Sequence, residues 1–386
     1  MPIINRIGDY HEEMKGWRRH IHANPEIMFD CHETADFVVE RLKEFGIDQI
    51  ETGVATSGVV AIIEGQGAGP TIGLRADMDA LPMPEETGLE YQSTNSGKMH
   101  ACGHDGHTTM LLGAAKYLAE TRNFKGRVAL MFQPAEEGGG GADVMVKQGV
   151  LDKHNVEQVY ALHNLPGLPV GHFTTVPGPI MAAVDTLDVT ITGKGSHAAY
   201  PHESVDPVIC AVSMVQNLQS VVSRNVDPMH QTVLSVTQIH TGSAHNVIPD
   251  TAKIQATLRT FDVDVRAMVI ARIADIVNGT AAAFGCKAAH ELWDGYPATV
   301  NDPNKTHFAA DVAKAIVGEE NVSVEAVPSM GAEDFSFMLN ERPGSYLFIG
   351  NGDTAMLHNT AYDFDDDVSV HGASFFAKVV ETAQPL

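Results

Sequence analysis

Cysteine is scarce in this chain, with four among 386 residues, at positions 31, 102, 210 and 286. That is too few for a disulfide-built scaffold and points to a reducing, cytoplasmic compartment. Positive charge is scarce too: 25 Lys and Arg face 49 Asp and Glu, for a net charge of -24. Such a surface repels phosphate backbones and anionic lipids, so neither nucleic acid nor membrane is expected as a partner. No apolar run approaches the roughly 18 residues of a spanning helix. Met1-Pro2-Ile3-Ile4-Asn5-Arg6 lacks the apolar stretch of a signal peptide. What is present is globular: 44% hydrophobic and 19% charged residues exclude a fibrous or disordered chain. The length allows two or three domains at roughly 100–200 residues each. The unusual count is 19 His, many clustered with Gly and acidic residues.

Apolar positions at helical spacing predict a helix over residues 5–23, ended by Asn24-Pro25, and another over 33–45, stopped by Gly46. Runs of Val, Ile and Leu at 58–63, 71–75 and 127–132, with a helix over 105–118, predict an α/β sheet covered on both faces. Between about 185 and 295 the order changes to β-α-β-β-α-β, the ferredoxin-like unit. The expected division is a catalytic domain over 1–184 and 296–386, with 185–295 inserted as a separate domain. Gly138-Gly139-Gly140-Gly141 is a tight turn before a helix. It is no phosphate loop, because no Lys-Ser/Thr follows.

Five segments carry candidate chemistry. His100-Ala101-Cys102-Gly103-His104-Asp105-Gly106-His107 places a thiol among imidazoles beside glycine, so Cys102 and His104 can reach one ion. A buried thiol with solvated loop histidines would look the same. Gln133-Pro134-Ala135-Glu136-Glu137 follows an apolar strand. Adjacent carboxylates there are costly unless cations or protons compensate, although an exposed acidic turn is the plainer alternative. His163 and His358 sit near strand ends, where open α/β sheets place their sites. In Leu74-Arg75-Ala76-Asp77-Met78-Asp79-Ala80, Asp77 could accept a hydrogen bond from a metal-bound His. Cys102, His104, Glu137, His163 and His358 exceed the four donors of one tetrahedral Zn²⁺, so two ions sharing a ligand fit better. Glu136 would then move protons between the attacking water and the leaving nitrogen.

These motifs, with Trp17-Arg18-Arg19-His20-Ile21-His22, Gly195-Ser196-His197-Ala198-Ala199, Asn246-Val247-Ile248-Pro249 and Gly331-Ala332-Glu333-Asp334-Phe335-Ser336, carry a family likeness. The chain resembles the amidohydrolase branch of the dinuclear-metal aminoacylase and carboxypeptidase family. That branch includes hippurate hydrolases, N-acyl-amino-acid deacylases and auxin-conjugate hydrolases. The likeness implies a mixed-sheet metallopeptidase-like catalytic domain with an inserted lid and dimerisation domain, hence a homodimer or homotetramer. It implies two divalent ions (Zn, Mn, Ni or Co) on the five ligands, Glu136 as general base and Asp77 as orienting group. It further implies His197 as oxyanion donor, and Asn246 and Arg259 as binders of the substrate carboxylate. The wider family usually has His where Arg75 stands and Asp as bridging ligand; the branch fits Arg75 and Cys102. A thiolate favours Zn²⁺ over Mn²⁺.

The expected activity is hydrolysis of N-acyl-L-amino acids to a carboxylic acid and a free amino acid. A dipeptidase or aminopeptidase of the same family is the alternative, needing an acidic anchor for the substrate amine. A Cys102 nucleophile with His104 as base lacks an orienting group. A non-catalytic binding protein would be expected to lose Glu136 or a ligand. A surface salt bridge to Asp262 or a neighbour is the plainer reading of Arg259.

Overall fold

The computed structural model describes residues 4–386, which divide into two compact units. The first comprises residues 4–180, Thr299–Pro328 and Asp334–Leu386, and the second Met181–Ala298 with Ser329–Glu333. Among the described residues no helix is long and apolar enough to cross a membrane.

The first unit is built on an eight-stranded mixed sheet. Five strands come in chain order as β1 (Gln49–Val54), β2 (Gly58–Glu64), β3 (Thr71–Asp77), β4 (Arg127–Gln133) and β5 (Val156–Leu165). The sheet runs β1-β2-β4-β3-β5, then Gly344–Gly350, Phe173–Thr174 and Val322–Ser323. β4, β3, β5 and Gly344–Gly350 are mutually parallel, with β1 and β2 antiparallel at one edge. Every residue of β3 is buried, as are the first six of β2 and the last six of β4, as expected of strands covered on both faces. β1 has no apolar run and a mostly exposed pattern, which is why the sequence pattern missed it.

Helices His11–Ala23, His104–Thr121, Pro303–Val317 and Val368–Ala383 contribute to one apolar core with the sheet. Gly372 lets helices 104–121 and 368–383 approach closely, since a Cβ there would lie 1.9 Å from Met110 Sδ. The helix expected over 5–23 is two: Asn5–Gly8 and His11–Ala23. Gly8 and Asp9, both weak helix formers, fall at the break.

The second unit is a four-stranded antiparallel sheet in the order 232–241, 251–260, 183–192, 287–294. Helices Pro207–Ser220 and Val263–Ala283 pack on it, with Leu187, Val189, Ile191, Met214, Ile254 and Ile273 in the shared core. Asp206 and Asp262 cap these helices, each accepting two backbone N–H groups. Chain order is therefore β-α-β-β-α-β, with a short extra pair joining Ser196–His197 to Val247–Ile248.

Candidate metal centre

The parallel strands β4, β3 and β5 lie side by side, so their C-terminal ends open onto one place. β3 ends at Asp77, the turn after β4 carries Glu136 and Glu137, and β5 carries His163. Helix 104–121 begins at the same place. Its N-cap Gly103 has φ +90, and a Cβ there would meet Asn164 Nδ2 at 2.1 Å, so only glycine fits.

Donor atoms of Cys102, His104 and His163 lie within 4.8 Å of one another, as do those of Cys102, Glu137 and His358 and those of His104, Glu136 and Glu137. The five expected ligands and the expected base are thus brought together in the first unit. Cys102 Sγ is 3.3 Å from His163 Nε2, and His358 Nε2 is 3.4 Å from Glu137 Oε1. His104 donates from Nδ1 to the Asp79 carbonyl at 2.7 Å, and His163 from Nδ1 to the Asn164 carbonyl at 2.7 Å. Both rings therefore turn Nε2 toward the cluster. His104 Nε2 is buried and makes no hydrogen bond, with Asp77 Oδ2 and Glu136 Oε2 at 3.8 and 3.9 Å. A buried imidazole nitrogen without a partner, facing a thiol and two carboxylates, is the donor set of a divalent-ion site. Burial, with the Glu137 charge, pushes the Cys102 thiol well up. Burial and His107 push His163 well down, so its imidazole stays neutral and able to ligate.

Two site segments hold non-glycine residues in the left-handed region: Ala135 at φ +59 and His358 at φ +60. Each costs of order 1–3 kcal/mol, a cost that clusters at functional sites. His358 is also tied to the Cys102 loop, its N–H donating to the Ala101 carbonyl at 2.8 Å.

The histidine that Asp77 holds is His107, at 2.6 Å, rather than one of the five expected ligands. His107 Nε2 accepts from the Asn164 N–H at 3.0 Å, so its Nδ1 carries the proton given to Asp77. Arg75 donates to the other Asp77 oxygen at 2.6 Å, to Asp334 at 2.8 Å and to Gln133 at 2.8 Å. Asn164 donates to the Cys102 carbonyl at 2.6 Å and accepts from Tyr362 at 2.6 Å. Sequence reasoning missed the parts played by Asp79, His107, Asn164 and Tyr362. The first two lie inside the quoted motifs, and Asn164 follows a ligand candidate; Tyr362 carries no sequence signal.

His197, Asn246 and Arg259 all fall in the second unit. His197 and Asn246 line one pocket with Gly195, Ser196 and Asp250. His197 Nδ1 accepts from the Ala199 N–H at 3.1 Å, which leaves Nε2–H as an exposed donor. Arg259 is half-buried, and its polar contacts are Thr257 Oγ1 and the Met330 carbonyl, both at 3.3 Å. Asp262 caps a helix and is not among the hydrogen-bond partners of Arg259; the nearby charge that acts on Arg259 is Asp185. Burial lowers the Arg259 pKa.

An α/β sheet whose parallel strand ends gather thiol, imidazole and carboxylate donors beside a second, adjacent glutamate defines a metal-dependent hydrolase. Residues 73–382 match peptidase family M20/M25/M40, and the chain belongs to that family. It is 40% identical over 379 residues to hippurate hydrolase of Campylobacter jejuni, covering 98% of each chain. It is 43% identical over 366 residues to N-acetyl-L-cysteine deacetylase of Bacillus subtilis, covering 95% of this chain and 86% of that protein. A crystal structure of a dinuclear metal binding peptidase of the M20 family, also from Bacillus subtilis, superposes with a TM-score of 0.86 at 32% identity, covering 98% and 99% of the two chains.

Proposed function

We infer that this protein hydrolyses the amide bond of N-acyl amino acids, releasing a carboxylic acid and a free amino acid. The observation that carries the reading is the donor cluster of the first unit with Glu136 beside it. Hippurate and N-acetyl-L-cysteine, in the names of two relatives, are both N-acyl amino acids, which supports that substrate class.

Cys102, His104, Glu137, His163 and His358 would hold two divalent ions, of zinc, manganese, nickel or cobalt. When bound, such ions polarise a carbonyl and lower the pKa of water. Glu136 takes the proton of the attacking water and delivers it to the leaving nitrogen. Asp77 orients the centre indirectly, through His107 and Asn164, which fix the Cys102 and His163 segments. The Nε2–H of His197 serves the developing oxyanion. Arg259, with no carboxylate among its hydrogen-bond partners, takes the substrate carboxylate with Asn246. Residues 181–298 act as lid and dimerisation domain of a cytoplasmic homodimer or homotetramer.

The test is a panel of N-acetyl, N-benzoyl and longer N-acyl amino acids beside unblocked dipeptides, with release of free amine measured. Cleavage of the acylated set supports the reading; cleavage of unblocked dipeptides alone rejects it.

A further inference from the structure

The second carboxylate at the end of β3 has a place that the reading above does not use. Asp79 is 1% exposed and faces the turn after β4. Its Oδ1 accepts the Glu136 N–H at 2.9 Å, and its Oδ2 accepts the Glu137 N–H at 3.1 Å. Its main-chain carbonyl accepts His104 Nδ1–H at 2.7 Å. One residue therefore touches the backbone of the expected base, the backbone of one expected ligand and the ring of another.

The turn itself explains why a carboxylate is needed. Ala135 adopts φ +59, and the two amides that follow it point the same way. Consecutive amides converging on one point form a concavity for an anion. Here the anion is Asp79, supplied from the neighbouring strand. The turn is closed by Gly138 N–H donating to the Glu136 carbonyl at 2.7 Å and Gly141 N–H to the Ala135 carbonyl at 3.1 Å. Neither of those bonds refers the turn to the rest of the site; the two to Asp79 do. The Glu136 Oε2 to His104 Nε2 separation of 3.9 Å is thus spanned, on both sides, by bonds to Asp79.

We propose that Asp79 is a positioning residue that fixes the Glu136 carboxylate relative to His104 through the two amides of the Glu136-Glu137 turn. The proposal rests on Glu136 acting as the base. Asp79→Asn keeps the size but sets an NH2 donor against one amide N–H, so one bond is lost and the turn can swing. A misplacement of about 1 Å costs of order 10²-fold in rate.

The experiment compares Asp79→Asn, Glu136→Gln and the double variant as metal-loaded proteins, with kcat, KM and metal content per chain measured for each. Asp79→Asn is expected to lower kcat about 10–10²-fold, with KM within about two-fold and metal content unchanged. The double variant is expected to be no slower than Glu136→Gln alone, because a residue acting through Glu136 has nothing left to position. Rate losses that multiply in the double variant would overturn the proposal, as would an unchanged kcat in Asp79→Asn. Loss of metal in Asp79→Asn would also overturn it, by moving the role to the ligands. If Asp79→Asn does not fold, Asp79→Ser, with one accepting oxygen, carries the same comparison. Wild-type kcat in Glu136→Gln alone would instead reject Glu136 as the base, and this proposal with it.

Discussion

Glu136 and Glu137 have the same side chain and share one turn, yet the fold sends them to different neighbours. Glu137 Oε1 faces His358 Nε2 at 3.4 Å, whereas Glu136 Oε2 faces His104 Nε2 at 3.9 Å. Glu136→Gln should keep the metal and lose about 10²–10⁴-fold in kcat, the scale of general acid-base catalysis. Glu137→Gln should lower metal content first; elemental analysis beside kinetics separates the two, and the reverse pattern would exchange the roles. His22, which is not among the expected ligands, offers a second test. Burial alone would lower its pKa, but hydrogen bonds to Asp105 and Glu85 raise it to about 9. A group raised in the folded state contributes stability that is complete below its unfolded value, about 6.5, and is lost as pH rises through about 9. At about 1.4 kcal/mol per unit this is about 3 kcal/mol. Urea unfolding from pH 6 to 10 should show that decline, and His22→Gln should flatten it. At this scale the clustering of the expected ligands Cys102, His104 and Glu137 with the expected base Glu136 was readable because they lie in compact motifs. Asp79 and Asn164 were not, because their work depends on which way backbone amides and carbonyls point.

Between elements, the centre depends on a buried ionic frame. Arg75 on β3 reaches Asp77 on its own strand, Gln133 at the end of β4 and Asp334, which in turn accepts the Ala142 N–H that opens helix Gly141–Lys147. The Arg75, Asp77 and Asp334 side chains are all fully buried. Removing the cation leaves two carboxylates without its charge, and breaking a buried pair costs about 3–5 kcal/mol. Arg75→Met should therefore lower unfolding free energy by that order in urea; a change below about 1 kcal/mol would show the frame to be dispensable. Apolar β2, β3 and β4 could be read from sequence because burial on both faces demands continuous Val, Ile and Leu. β1 could not, since an edge strand with polar side chains carries no such run. The break at Asp9–Tyr10 was masked by apolar spacing that continues across it.

At the scale of the molecule, the chain places its donor cluster in one compact unit and His197, Asn246 and Arg259 in the other. The β-α-β-β-α-β order of the second unit was readable because its strands alternate and its helices stripe, while the return of Ser329–Glu333 to that unit has no signature in composition. Mixing inactive His197→Ala and Glu136→Gln chains decides which subunit His197 serves. On a dimer, random pairing with His197 acting across subunits should restore about one quarter of wild-type activity. No recovery after proven subunit exchange would show that His197 serves its own subunit or no site at all. The central claim is that Cys102, His104, Glu137, His163 and His358 hold the divalent ions on which hydrolysis depends. The most direct measurement strips the protein with a strong chelator, confirms the loss by elemental analysis, and follows N-acyl amino acid hydrolysis as a divalent ion is returned. The account predicts no turnover in the stripped protein and activity that rises with bound metal to a plateau at two ions per chain; full turnover in protein shown to be metal-free would contradict it.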